Sequence, residues 1–206
     1  MNYAQQKRIL DVTLALILCM IFLPIWFIVP IMIYLDSGFP IIFKHKRLGL
    51  NGKEFYLYKF RSMVPDADDI LHKHNKKMLA RFRKGDWKIK NDPRITRLGK
   101  ALRSLTIDEF PQIYNVLKGE MSMIGPRAYV QKEFDEQTKK YPQTKKYKEI
   151  ILSVKPGITG PWQTSGRNEI PFNIRAKMDA NYANQKSILR DLIIMLKTPK
   201  AMISKW

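Results

Sequence analysis

VTLALILCMIFLPIWFIVPIMIYL, residues 12–35, runs for 24 positions without a charged side chain. As one continuous helix it would reach ~36 Å, enough for a hydrocarbon core of about 30 Å. It is too long for the apolar region of a signal peptide, and no small-x-small cleavage site follows it. The competing reading, a core helix of a globular protein, is disfavoured by so long and uniform an apolar run. Pro24 stands near the middle, where proline withholds a backbone donor and bends a helix. Both flanks are basic, with Lys7 and Arg8 before the run and Lys44, Lys46 and Arg47 after it. The positive-inside bias holds both ends on the cytoplasmic side. A kinked, re-entrant helix that enters and leaves by one leaflet satisfies both facts. A straight crossing with a tolerated proline is the alternative.

Outward from this run, the chain of 206 residues has room for one compact domain beside the anchor. It carries 37 Lys and Arg against 18 Asp and Glu, a formal charge of +19. Such a surface seeks anions: nucleic acid, acidic lipid head groups or phosphorylated substrates. The charge is concentrated, with 17 basic and 6 acidic residues in residues 44–100. The single cysteine, Cys19, lies in the apolar run, so there is no disulfide framework. Ile188, Leu189, Leu192, Ile193 and Leu196 recur at helical spacing with Arg190, Lys197, Lys200 and Lys205 among them, and Trp206 follows. That pattern suits a helix at a membrane interface, and equally a helix packed on the protein core.

Two short apolar or aromatic runs, residues 41–43 and 54–60, flank Gly49 and Asn51-Gly52 and read as a hairpin. Residues 110–117 read as a helix ended by Gly119. Residues 132–151 are polar and helix-permissive, with a break at Pro142. Residues 172–182 read as a further helix. His72 and His74 flank Lys73 in a cationic segment without a third ligand nearby, which points to a solvated face rather than a metal site. The chain has neither a Walker P-loop nor a Rossmann glycine fingerprint.

The chemistry concentrates in RSLTIDEFPQIYNVLKGEMSMIGPR, residues 103–127. Asp108 and Glu109 are adjacent carboxylates just before Phe110 and Pro111. Proline is tolerated near a helix start, so the pair is expected at a helix N-terminus, where free N–H groups favour anions. Arg103, Lys118 and Arg127 are close enough in sequence to hold phosphates. Taken alone the pair reads equally as a helix cap: Thr106 and Glu109 have capping-box spacing, and Asp108 is itself a capping residue type.

Several long motifs in order give the chain a specific resemblance. YKFRSM at residues 58–63, NDPRITRLGKALR at 91–103, SLTIDEFPQIYNVLKGEMSMIGPR at 104–127 and VKPGITGPWQTSGRN at 154–168 are four of them. With the region around Asp179 and Tyr182 and the N-terminal apolar segment, they resemble the bacterial sugar transferase family over nearly the whole chain. These are the monotopic phosphoglycosyl transferases that start surface glycan assembly. The resemblance implies that Asp108 is the nucleophile of an Asp-Glu dyad with Glu109. It implies a UDP-sugar donor, undecaprenyl phosphate as acceptor, UMP as leaving group and a covalent phosphosugar intermediate on Asp108. It implies Mg²⁺ as cofactor, with Asp108 and Glu109 as its ligands. Lys59 and Arg61 match a basic motif assigned to phosphate contact or dyad support. Arg103, Arg127 and Arg167 match phosphate-binding positions, and each is equally open to a salt-bridge role. The chain departs from the family pattern where Leu23 precedes Pro24 in place of serine, where Ala128 follows Arg127 in place of proline, and where Glu120 stands for the commoner aspartate. The segment of residues 63–91 resembles members that handle hexoses such as glucose or galactose, with N-acetylated sugars as the alternative.

The fold expected is an α-rich α/β membrane-associated domain with a re-entrant helix, interfacial amphipathic helices and a small β-hairpin. Residues 1–40 form the re-entrant unit kinked at Pro24, and residues 41–206 a cytoplasmic-face catalytic domain with a C-terminal interfacial helix. The bacterial inner membrane is the expected location, with the site on its cytoplasmic leaflet. The start of the chain, almost at the anchor, resembles a minimal catalytic unit. The alternative function is a membrane-anchored nucleic-acid-binding or scaffold protein, for which no helix-turn-helix, zinc-finger or RNA-binding signature is present.

Overall fold

The computed structural model describes residues 1–85, 87, 89–166 and 169–202. Two helices open the chain, α1 (Tyr3–Ile21) and α2 (Leu23–Ser37), with axes bent by 65°. Asn2 and Gln5 form a capping box at the start of α1. The break falls at Phe22 (φ −102°, ψ 24°), which closes α1 and opens α2. Pro24 therefore sits in the first turn of α2, where its missing N–H withholds no helical bond. In a straight helix its ring would meet the carbonyl of Met20, four residues back, so the proline enforces a break two residues upstream. Pro30 lies within α2. No single described helix is long and apolar enough to cross a membrane; the bent pair taken together passes a test of length and composition alone.

The outer surface of this pair is an apolar strip. Leu16, Met20, Ile21, Leu23, Phe27, Ile28, Ile31 and Leu35 are 50–77% exposed, an extent that marks a contact surface rather than scattered surface apolars. The inner face is core. Ala15 of α1 packs with Phe55, Leu57, Ile113, Val116, Tyr182 and Ile194. Val29 and Ile33 of α2 pack with Phe60 and Leu102. Two of the basic flanking residues are engaged inside the protein. Lys7 is buried between Asp11 (3.2 Å) and Asp191 (3.3 Å). Arg8 donates to the carbonyls of Val116 (2.6 Å) and Leu117 (2.8 Å).

The expected hairpin is β1 (Ile42–Leu48) with β2 (Glu54–Phe60), antiparallel from Ile42 opposite Phe60 to Leu48 opposite Glu54. Asn51 (φ 54°) and Gly52 (φ 77°) both turn left-handed, and Lys53 N–H donates to Leu50 C=O at 3.1 Å. That is the turn an Asn-Gly pair prefers. Short helical pieces follow: α3 (Ala67–Asp69), a π-turn at Ile70–His74 and α4 (Lys76–Lys84). Next come α5 (Arg97–Ser104), a 3₁₀ turn at Ile107–Glu109 and α6 (Gln112–Lys118), which ends on left-handed Gly119 (φ 80°).

β3 (Ser122–Ile124) pairs in parallel with β4 (Gly157–Thr159). Between them lie α7 (Gln131–Lys140), a 3₁₀ stretch at Pro142–Tyr147 and α8 (Lys148–Leu152), so the helix breaks at Pro142 as its sequence requires. A Cβ on Gly157 would stand 2.0 Å from the Gly125 nitrogen, so only glycine permits this close approach. The chain closes with α9 (Phe172–Asn184) and α10 (Ile188–Met202). α10 has two characters: Asp191 and Ile194 are buried, while Leu189, Ile193 and Leu196 are exposed. Lys205 and Trp206 lie outside the described residues.

One side chain docks α6 onto the hairpin. Asn115, fully buried, donates to Tyr56 C=O (2.7 Å) and to Glu120 (2.7 Å), and accepts from Tyr58 N–H (3.2 Å). It satisfies backbone groups on the edge of β2 not paired with β1, and so sets the height of β2 against the segment that carries the dyad.

Candidate active site

The site grows from the end of β2 and the start of α5. Thr96 caps α5 by accepting from Gly99 N–H at 2.9 Å. A Cβ on Gly99 would stand 2.0 Å from Ser62 C=O, so this glycine lets α5 lie against the chain leaving β2. One turn on, Arg103 Nε donates to Ser62 Oγ at 2.8 Å. Burial lowers the Arg103 pKa, and the charges of Asp108 and Glu109 oppose that shift.

Thr106 then turns left-handed (φ 60°, ψ 18°). For a β-branched residue this conformation costs on the order of 1–3 kcal/mol and persists only where the surroundings enforce it. Its hydroxyl donates to Met202 C=O at 2.9 Å. The 3₁₀ turn Ile107–Glu109 follows, closed by Glu109 N–H to Thr106 C=O (3.2 Å) and Phe110 N–H to Ile107 C=O (3.1 Å). This turn has no side-chain cap, and Pro111 occupies the N-cap position of α6. The capping readings of Thr106 and Asp108 are thus not the geometry adopted. The carboxylates stand in a 3₁₀ turn that follows left-handed Thr106 and runs through Phe110 and Pro111, both right-handed helical, into α6.

Asp108 is buried, 6% exposed. Glu109 is partly open and meets Lys59 Nζ at 2.6 Å. Glu109 therefore meets Lys59 from β2, and both carboxylates of the turn lie in the field of Arg103 from α5. Arg61, two residues beyond Lys59, points elsewhere. It is buried and donates to Ser37 C=O (2.8 Å), Ser37 Oγ (2.8 Å) and Gly38 C=O (2.7 Å), which places a cation on the C-terminal carbonyls of α2.

A second charged cluster adjoins the first. Arg127 lies over Trp162 (5.2 Å) with Nε 3.9 Å from Glu133, and its backbone N–H donates to Asp179 at 3.2 Å. Buried Glu133 also faces Arg175 (3.3 Å) and Arg47 (3.9 Å). Burial and the neighbouring Arg127 push Arg47 down to about 10, opposed by Glu133 and by Glu109 of the dyad, so the two clusters share one field. Burial, with Arg47 and Lys59 beside it, holds His45 down at about 3, hence neutral. Burial raises the Asp179 carboxyl to about 6, against the Tyr129 hydroxyl bonded to it. Arg47, Glu133 and Arg175 had no motif to flag them: an isolated Arg or Glu in sequence carries no sign that three elements will bury it. Arg167 lies outside the described residues.

Among the described residues no group of three or more His, Cys, Asp or Glu side chains could hold a metal ion. His72 and His74 are exposed on the π-turn. Asp108 and Glu109 remain as a pair of oxygen donors. A cavity of about 450 Å³ lies by Lys46, Arg47, Glu54 and Asp135 and is not lined by the dyad.

Fold and site together define a small charge-rich domain that carries a carboxylate pair beside an apolar, bent helix pair. The chain belongs to the bacterial sugar transferase family, which matches residues 2–205. It is 45% identical over 202 residues to the galactosyl transferase CpsE of Streptococcus agalactiae, covering 96% of this chain and 42% of that protein. It is 40% identical over 187 residues to the undecaprenyl-phosphate galactose phosphotransferase of Salmonella typhimurium, covering 85% of this chain and 37% of that protein. It is 36% identical over 200 residues to the exopolysaccharide production protein ExoY of Sinorhizobium fredii, covering 95% and 84%. The chain spans about two fifths of the length of the first two relatives.

Proposed function

We propose that this chain is a phosphoglycosyl transferase that moves a sugar-1-phosphate from a UDP-sugar to undecaprenyl phosphate. The observation that carries the reading is the buried Asp108 next to a Glu109 held at 2.6 Å by Lys59. A relative is named for transfer to undecaprenyl phosphate, and galactose in that name favours a hexose donor here. In the proposed reaction an Asp108 oxygen attacks the β-phosphorus of the donor. The bond from that phosphorus to the bridging oxygen breaks, and UMP leaves with the electron pair. A phosphate oxygen of undecaprenyl phosphate then attacks the same phosphorus and displaces the Asp108 carboxylate. A carboxylate nucleophile splits one difficult transfer into two easier ones.

Repulsion between an anionic nucleophile and a diphosphate must be offset, and Lys59 and Arg103 supply positive charge beside the dyad. Arg127 and Arg167 are the further candidates for phosphate contact, whereas Arg61 supports the site by holding the end of α2. The Asp108–Glu109 donor pair suits Mg²⁺, which binds through one or two carboxylates together with substrate phosphates and water. These two residues would hold it, and when bound it neutralises phosphate charge.

The exposed apolar strip of α1 and α2 supports a re-entrant insertion of residues 1–40 into one leaflet of the bacterial inner membrane. The domain of residues 41–206 then rests on the cytoplasmic face, with the open side of α10 at the interface. A water-soluble donor and a lipid-borne acceptor meet there. Nucleic-acid binding, the other expectation from the basic surface, gains no support from the family match. UMP release from a panel of UDP-sugars, with Mg²⁺ and undecaprenyl phosphate, tests the reading. Release with one sugar, abolished by Asp108→Asn, is expected; release with none, or release unaffected by the substitution, would overturn it.

A further inference from the structure

α10 is fastened along its whole length. Near its start Asp191, fully buried, accepts from the hydroxyls of Tyr182 on α9 (2.5 Å) and Tyr3 on α1 (3.1 Å) and faces Lys7 at 3.3 Å. Further along, the Thr198 hydroxyl donates to Ile194 C=O and stands 3.0 Å from the Thr159 hydroxyl on β4. At its far end Met202 C=O accepts from Thr106, 96 positions away in sequence and two residues before Asp108. The helix is 15 residues long, about 22 Å, with Pro199 in its last turn between the Thr198 and Met202 contacts. One of its ends is locked to α1 and α9, and the other touches the turn that carries the dyad.

Thr106 is the residue on the dyad side of this contact. Its left-handed backbone suits glycine, which adopts that conformation without steric penalty. Threonine is there instead, and what it adds is the hydroxyl that reaches Met202. We propose that Thr106 is a positioning residue: through its hydroxyl, α10 fixes the 3₁₀ turn and hence the placement of Asp108 and Glu109. The inference rests on Asp108 being the reacting carboxylate. It makes the C-terminal helix, remote in sequence from the dyad, part of what sets the transfer rate.

Glycine at this position separates placement from fold stability, because it relieves backbone strain while removing the hydroxyl. Thr106→Gly, Thr106→Val and Thr106→Ser are compared with the wild type and with Asp108→Asn in UMP release. Amide exchange of Glu109 and Phe110, the donors that close the turn, is followed in the same proteins. Thr106→Ser should retain wild-type kcat. Thr106→Gly and Thr106→Val should lose about tenfold in kcat with KM unchanged, since small misplacements of a reacting group are costly, and should exchange those amides faster. Thr106→Gly with wild-type kcat and wild-type exchange would overturn the proposal while leaving the role of Asp108 intact. If Asp108→Asn matches the wild type in UMP release, the Asp108 reading falls, and exchange alone decides the strut. Faster exchange in Thr106→Gly then supports it, and unchanged exchange overturns it.

Discussion

Asn115→Leu probes the joint that holds β2 and the dyad segment together. Leucine has similar bulk but bonds to nothing. The substitution leaves Tyr58 N–H and Tyr56 C=O without the partner that now satisfies them, and removes one donor from Glu120. The site is fully buried, so water does not readily substitute. Each backbone group stranded in this way costs about 1–3 kcal/mol, and two of them give about 3 kcal/mol after partial relaxation. In a chain of this size that lowers Tm by about 6–12 °C. The effect should extend to the site, because Lys59 follows Tyr58 directly and its 2.6 Å contact with Glu109 depends on the height of β2. The assay is thermal unfolding in detergent micelles by intrinsic fluorescence, run beside UMP release on the same preparations. A Tm drop under about 2 °C with unchanged turnover would show that Asn115 is not what satisfies these two backbone groups.

Lys59→Met should leave stability within about 1 kcal/mol, because both partners of the Lys59–Glu109 pair are partly open to solvent. Its turnover should fall about a hundredfold if Lys59 offsets phosphate charge as proposed; a large Tm loss with intact turnover would contradict this. Asp191→Asn should lower stability by about 3 kcal/mol, read as a Tm shift, since it removes one of two carboxylates facing buried Lys7. Asp179 titrates at about 6 in the folded chain and near 4 when unfolded. The folded state therefore holds the proton more tightly, and the group's contribution to stability falls as pH rises from about 4 to about 6 and is flat above that. Asp179→Asn should flatten this slope in Tm measured across that window, and a wild-type contribution rising with pH would contradict the assignment.

Much of this architecture is legible in the sequence because local chemistry dictates it. Asn51-Gly52 has the residues a left-handed two-residue turn needs, Gly119 ends α6, and Pro142 breaks the helix that precedes it. The uncharged run with Pro24 signals a bent pair, although the proline acts from the first turn of α2 and the break itself falls at Phe22. What stayed hidden depends on distant partners. β3 and β4 are three residues each and parallel, too short to show a period and joined only because Gly125 and Gly157 allow contact. Lys7 reads as a membrane-flanking charge until α10 brings Asp191 to it. The dyad motif is visible in sequence, but its 3₁₀ turn is not, because a left-handed threonine held by Met202 is a tertiary arrangement. The cluster of Arg47, Arg127 and Arg175 around buried Glu133 is likewise assembled from β1, the loop after β3, α9 and α7.

The covalent bond proposed between Asp108 and the phosphosugar is the step on which the mechanism rests. Its most direct test is to incubate the protein with UDP-sugar labelled at the β-phosphate, without undecaprenyl phosphate, and to find the label. Labelled protein is expected, discharging on addition of the lipid acceptor or of hydroxylamine, with the label in the peptide that contains Asp108 and none in Asp108→Asn. Turnover without labelled protein, or label retained by Asp108→Asn, would contradict it.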